Sequence, residues 1–199
     1  MRDFTTVQEK ILDRALYLIG VRGNYDVPIR DITKAAGVNV NAINYYFGNK
    51  DNMLHEVNEF FIRNYLSAYS VLDSEESADR KLALWANEVM EYTLQYPGIQ
   101  ILQRHALQSS GFNKMKDFLL CDAQQYEQKV LLVLQDVFQV KGESAQLVRC
   151  MLYSSVIHPV SLGTNFCFDT GQMANREFRL NYIQFVIDTL KKGTIIHEV

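Results

Sequence analysis

The 199-residue chain has little proline and cysteine, three of each, and no Cys-x-x-Cys pair. It also lacks any apolar run of about 18 residues. Each scarcity excludes something. Cys121, Cys150 and Cys167 are odd in number and widely spaced, which argues against a disulfide framework and for reduced thiols in the cytoplasm. The missing apolar run, and the missing secretory core at the N-terminus, argue against membrane spanning and export. His55, His105, His158 and His197 form no HxxxH or HExxH set, so no metal site is legible. No nucleophile–base–orienter set and no cofactor loop points to an enzyme, and no cofactor is expected. Strand-like alternation between hairpin signals is absent as well.

What is present is apolar and aromatic. Hydrophobic residues make up 48% of the chain and aromatic residues 12%, with 22% charged residues to keep it in solution. That surplus fits a pocket, an oligomer interface, or simply a large core. The formal net charge of −3 is unevenly spread. Residues 1–50 carry seven Lys and Arg against five Asp and Glu, a net of +2, which leaves −5 for the remainder. A mildly basic head on an acidic body fits a nucleic-acid-reading module joined to something that does not read nucleic acid.

Apolar residues recur at helical spacing along most of the chain, and the pattern predicts an all-α protein of about nine helices. Ile11, Leu12, Ala15, Leu16, Leu18 and Ile19 form the first stripe, closed by Gly20 and Gly23. Pro28 and Ile29 open a second helix to about Ala36, Gly37 makes the turn, and Asn39 can cap a third helix from Val40 to Phe47. Asn49 can cap a fourth, about 50–72. Later helices are predicted at about 78–96, up to 108, 114–138, 144–162 with Pro159 near its end, and 173–192. The runs SSGFN and GTNFCFDTGQ read as loops. Residues 1–48 thus form one domain and 49–199 a second, with the fourth helix connecting them.

Residues 29–47 supply the parts of a helix-turn-helix in order. At ~100° per residue, Ile43, Tyr46 and Phe47 share one side of the third helix, and Val40, Asn41, Asn44 and Tyr45 share the other. The second set is suited to reading bases. Asparagine can pair with adenine through two hydrogen bonds, and the Val40 methyls can touch a thymine methyl. Tyr45, Tyr46, Lys50 and the free N–H groups at helix starts can hold phosphates. A plain solvent-facing helix would favour Lys, Glu and Arg, and asparagine is a poor helix former.

The stretches ILDRALYLIGVRG and IRDITKAAGVNVNAINYYFGNKDNML, within Gln8–Leu54, resemble the N-terminal domain of the TetR family of bacterial transcriptional regulators. The resemblance covers about a quarter of the chain, and its most specific portion is AGV…YxFxxKxxL. It implies a three-helix DNA-binding head, a helical ligand-binding body that dimerises, and operator release when a small molecule binds. Val40, Asn41, Ala42 and Asn44 match family positions that meet bases. Tyr45, Tyr46 and Lys50 match positions that touch backbone or groove edge, and Arg30 matches one that sometimes reaches DNA. Three residues depart from the pattern. Pro28 stands where a capping, phosphate-binding Thr is common, Asn44 where a phosphate-binding Tyr is common, and Tyr46 where His is common.

Beyond residue 54 the body is read from its chemistry. Tyr65, Tyr69, Trp85, Tyr92, Tyr96, His105, Phe118, Cys121 and Tyr126 combine apolar bodies with polar tips or polarisable groups, and are candidates to line an effector pocket or to be ordinary core residues. On the last two long helices Leu147, Met151, Ser154, Ser155, Ile157, His158, Tyr182, Phe185, Val186 and Thr189 are candidates for a four-helix interface across a two-fold axis; closing the monomer's own core is the alternative. Two recognition helices about 34 Å apart would match successive major grooves of a pseudo-palindromic DNA site. The expected partners are therefore double-stranded DNA, a small, largely apolar or aromatic effector, and a second copy of the chain, without a membrane. A redox sensor using Cys121 or Cys167, an activator, and a ligand-independent regulator of the same fold stay open.

Overall fold

Thr6 starts the first helix with a reciprocal cap. Its Oγ1 accepts from the Glu9 N–H at 3.1 Å, and the Glu9 carboxylate accepts from the Thr6 N–H at 3.3 Å. The computed structural model describes residues 6–109, 114–161 and 170–194. Among them every regular element is helical. Helices α1 (Val7–Arg22), α2 (Ile29–Ala36), α3 (Asn41–Phe47) and α4 (Lys50–Ser67) come first, and a 3-10 turn, Ala68–Asp73, follows α4. Then come α5 (Ala78–Gln95), α6 (Ile99–Gln108), α7 (Lys114–Asp117), a π segment (Phe118–Asp122) and α8 (Ala123–Phe138). The last are α9 (Gly142–Ser161), α10 (Thr170–Ala174) and α11 (Arg176–Thr194). No described helix is long and apolar enough to cross a membrane, and no three described His, Cys, Asp or Glu residues group as metal ligands.

The expected helices are present, with local differences. The fourth tightens into the 3-10 turn after Ser67, and the seventh contains the π segment. Residues 170–174, expected as loop apart from the last two, form α10. Asn175 then caps α11, its Oδ1 accepting from the Glu177 N–H at 2.8 Å and the Phe178 N–H at 3.2 Å. Cys167 and most of the GTNFCFDTGQ run lie outside the described residues.

The contacts divide the chain into two compact units, Met1–Asn64 with Tyr96–Asp122, and Tyr65–Gln95 with Ala123–Val199. In the first unit, α1 packs on α2 and on α6, and α2 packs on α3. Ile11, Leu12, Ala15, Leu16 and Ile19 are the buried stripe of α1. Two features tie α1 to the start of α6. A Cβ built on Gly20 would lie 2.2 Å from the Gly98 backbone nitrogen, and one built on Gly98 would lie 2.5 Å from the Gly20 Cα. No side chain fits between them. Beside this contact, the buried Tyr96 hydroxyl donates to the buried Asp13 carboxylate, whose other oxygen accepts from Arg14 Nε at 2.6 Å. The charge on Asp13 is thereby paired and hydrogen-bonded, as burial demands.

In the second unit α5 is central, packed by α8, α9, α11 and the 3-10 turn. Its core includes Leu82, Trp85, Ala86 and Met90 of α5, Leu134 of α8, Leu152 and Val156 of α9, and Ile183 and Ile187 of α11. A buried guanidinium locks the C-terminal helices to α5. Arg179, 3% exposed, donates to Asn87 Oδ1 at 3.1 Å, to the Met173 and Ala174 carbonyls at 2.9 and 3.0 Å, and to Glu91 Oε2 at 2.7 Å. It thereby serves the free carbonyls of α10 as well as two α5 side chains. Burial lowers its pKa from the ordinary value, and Glu91 and Glu88 oppose that.

Candidate nucleic-acid interface

The turn between α2 and α3 is set by backbone geometry. Gly37 takes φ 68°, ψ 33°, the left-handed conformation that a Cβ disfavours. The Gly37 and Val38 N–H groups close on the Lys34 and Thr33 carbonyls at 3.2 and 3.0 Å. Pro28 stands at the N-cap of α2 and supplies no side-chain hydrogen bond. Asn39 then shapes the start of α3, its Oδ1 accepting from the Asn41 N–H at 2.9 Å, and Val40 sits just ahead of the helix. Asn49 caps α4 by accepting from the Asn52 N–H at 2.8 Å.

Ile43 and Phe47 are buried and anchor α3. Val40, Asn41, Asn44 and Tyr45 are exposed, Tyr45 at 82% and Val40 at 47%, and Ala42 is half-buried. Tyr46 differs from the expected packing. It is 37% exposed, because Ile43 and Phe47, one turn apart, complete the buried edge of this seven-residue helix and leave Tyr46 at its margin. Its ring meets that of Tyr45 edge-on at 4.8 Å, so the two hydroxyl-bearing side chains form one exposed aromatic pair.

Two cations around this surface have carboxylate partners. Lys50, at the start of α4, pairs with Asp26, and Arg22 pairs with Asp31 at 2.6 Å. Arg30 and Lys34 are exposed on α2. The Lys50 ammonium bonded to Asp26 holds that carboxyl below the usual carboxylate range. Asp26 therefore stays charged at neutral pH and competes with any phosphate for Lys50. Asp26→Asn is expected to tighten binding to duplex DNA several-fold without changing which sequence is preferred; titration of wild type and variant on one labelled duplex checks this.

The family model described as "Bacterial regulatory proteins, tetR family" matches residues 11–57, the span that holds this turn and the exposed face of α3. The head is similar to the N-terminal domain of the TetR family. Solved structures extend the likeness along the chain. A TetR-like transcriptional regulator from Rhodococcus sp. RHA1 is 12% identical, with a TM-score of 0.66 over 97% of this chain and 100% of the other. The TetR-family regulator PfmR from Thermus thermophilus is 19% identical, with a TM-score of 0.63 over 89% and 97%. The transcriptional regulator FadR from Bacillus subtilis, solved in complex with stearoyl-CoA, is 19% identical, with a TM-score of 0.56 over 92% and 97%. At these identities the likeness is one of fold. No curated relative matches by sequence. The TetR family is one of transcriptional regulators rather than enzymes.

Outside the span that matches the TetR family, the candidate effector residues separate. Tyr65, Tyr69, Trp85 and Tyr126 meet in the second unit, where the Tyr69 ring lies 5.2 Å from Tyr65, 6.1 Å from Trp85 and 5.4 Å from Tyr126. Tyr92 is buried on α5. Tyr96, His105, Phe118 and Cys121 belong to the first unit. There Tyr96 bonds Asp13, His105 stacks on Tyr25 at 3.6 Å, Phe118 is buried and Cys121 is exposed.

Two residues that periodicity did not single out organise the aromatic cluster. Glu127 accepts from the Tyr69 hydroxyl at 3.1 Å and the Tyr153 hydroxyl at 2.7 Å, and Tyr65 and Tyr69 share a hydroxyl contact of 2.7 Å. Tyr153 also packs on Trp85 at 5.2 Å. The signal in the sequence is slight: Arg149 and Tyr153 stand four residues apart on α9, and Glu127 is the acid next to Tyr126. Burial, then the Glu127 charge, pushes the Tyr153 phenol strongly up. Burial drives Tyr69 strongly up as well, and Tyr65 up to about 12.

A phenol whose pKa rises on folding keeps its proton longer in the native state than in the unfolded chain. Its contribution is whole below the unfolded value of roughly 10 and is lost as pH climbs beyond it. Above that pH, each of the three is expected to subtract about 1.4 kcal/mol of stability per pH unit. Urea midpoints that fall steeply with alkaline pH in wild type, and less steeply in Tyr65→Phe, check this.

The candidate interface residues on α9 and α11 divide by exposure. Leu147, Met151, Ser154 and His158 form an exposed stripe on α9, with Leu147 at 61% and Met151 at 56%. Phe185, at 69%, and Thr189 are exposed on α11. Ser155, Ile157 and Tyr182 are half-buried, and the Tyr182 hydroxyl donates to the Ser155 carbonyl at 2.8 Å. Val186 is buried, because it continues the inward stripe of Ile183, Ile187 and Leu190.

Proposed function

We propose that the protein is a ligand-responsive, dimeric repressor that leaves its operator when a small, largely apolar or aromatic molecule binds the body. The observation that carries the reading is α3, anchored by Ile43 and Phe47, with Asn41, Asn44 and Tyr45 turned outward after the Gly37 turn. Residues 1–48 are assigned to DNA and 49–199 to effector and dimer. Val40, Asn41, Ala42 and Asn44 read base edges, while Arg30, Tyr45, Tyr46 and Lys50 hold the backbone. The exposed Leu147, Met151 and Phe185 on α9 and α11 support a two-fold contact, which supplies two heads for a pseudo-palindromic site. Stearoyl-CoA in the similar FadR supports an effector in the body. A coupling of about 1–3 kcal/mol between the two sites suffices for regulation. The cytoplasm is where such a regulator meets DNA.

Selection of duplexes from a random pool tests the reading. The expected product is an inverted repeat whose half-site preference relaxes in Asn44→Ala, while binding to unselected DNA is nearly unchanged. A pool that stays random after repeated rounds would overturn the proposal.

A further inference from the structure

The body holds one cluster that a plain hydrocarbon core does not need. Trp85 and Tyr69 are buried at its base, Tyr65 and Tyr153 are half-buried, and at its rim the Glu127 and Arg149 side chains are 30% and 35% exposed. The cluster therefore runs from a closed aromatic base to an edge that water reaches. Both Glu127 oxygens take phenol protons, so they pull electron density toward the Tyr69 and Tyr153 rings that pack against Trp85. The ion partner of Glu127, Arg149, stands at 3.7 Å, beyond hydrogen-bond range. The indole N–H of Trp85 is buried without an acceptor. A half-buried carboxylate, electron-rich rings and an unused donor thus share one place.

We propose that this cluster is a receptor for a small organic cation with an aromatic or otherwise apolar body. The carboxylate supplies the counter-charge, and the Tyr and Trp faces supply the attraction that aromatic rings exert on ammonium groups. A neutral apolar ligand would desolvate Glu127 without pairing it, and an anionic ligand would meet its charge directly. Arg149 yields its place at the rim when the cation arrives. The inference rests on the reading of the body as the effector-binding part and narrows the effector to one charge class.

Trp85 is the only tryptophan of the chain, so its fluorescence reports on this cluster alone in the full-length protein. The probes are benzyltrimethylammonium, its neutral carbon isostere neopentylbenzene, and phenylacetate, titrated without DNA. The cation is expected to change Trp85 emission saturably and to bind about tenfold more tightly than the isostere. Glu127→Gln should bring that ratio close to one. Arg149→Ala, which leaves both tyrosine–glutamate bonds in place, should raise cation affinity a few-fold and keep the protein foldable if the glutamate variant is not. Equal binding of cation and isostere overturns the proposal, as does tighter binding of phenylacetate, or no response to the cation in both wild type and Arg149→Ala. The titration contains no DNA, so its failure removes the cation assignment alone. Failure to select an operator removes the regulator reading alone.

Discussion

Raising monovalent salt from about 50 to 200 mM is expected to weaken the proposed dimer's hold on duplex DNA about a thousandfold. Arg30 and Lys34 are exposed on α2, and Lys50 is half-buried at the start of α4. On the paired heads of the proposed dimer these cations would neutralise roughly six phosphates, and the counterions released would give a log–log slope of about −5. Lys50→Ala should flatten that slope by about two, one for each head. Asn44→Ala should leave it unchanged, since a base contact releases no counterion. Binding measured at four or five salt concentrations decides the matter, and a flat line would remove DNA from the account. The expected loss is large because the chain as a whole is acidic, with a formal charge of −3, and has no broad basic field to hold DNA once these contacts are screened.

Replacing Arg179 with leucine is expected to cost about 3–5 kcal/mol, although the volume of the side chain is largely kept. The substitution strands Asn87 Oδ1 and the Met173 and Ala174 carbonyls, the last two at the end of α10, with no other donor aimed at them in the hydrogen bonds described above. For a chain of this size the loss corresponds to a fall in Tm of roughly 6–20 °C. Glu91→Gln removes the formal charge opposite Arg179 but acts on a side chain that is 53% exposed, and should cost about 1 kcal/mol or less. Urea and thermal unfolding of the two variants separate the contributions. Equal losses would mean that the ion pair, rather than service to the buried acceptors, is what Arg179 provides.

The fold was legible wherever one physical rule acted locally. The stripe on α1, the glycine turn at Gly37 and the Asn49 cap each follow from neighbouring residues, and each is present. The outward set on α3 was legible for the same reason, since Ile43 and Phe47 leave its other side free. The helical wheel places Tyr46 inward because it lies about 60° from Ile43, on the side away from Phe47. A helix of seven residues buries too narrow an edge to cover both.

The π segment was hidden because FLLCD continues an apolar helical pattern that gives no sign of a widened turn. Long-range polar partners were hidden for a different reason. Tyr96 with Asp13, Tyr25 with His105 and Glu127 with Tyr69 join residues far apart in the chain, and periodicity along one helix carries no information about its neighbour. The candidate effector-site aromatics therefore separate into two groups, and Glu127, which organises one of them, is marked in the sequence only by standing next to Tyr126.

The contact of Gly20 with Gly98 has a mechanical consequence. Most helix pairs meet through side chains, which change rotamer and absorb small displacements before the backbones respond. Here backbone meets backbone, with no room for a methyl on either side. Such a joint has no side chain to change rotamer, so a displacement at the start of α6 meets the α1 backbone directly. Any residue larger than glycine at either position would wedge the joint open and loosen the helix on which α2, and through it α3, is packed.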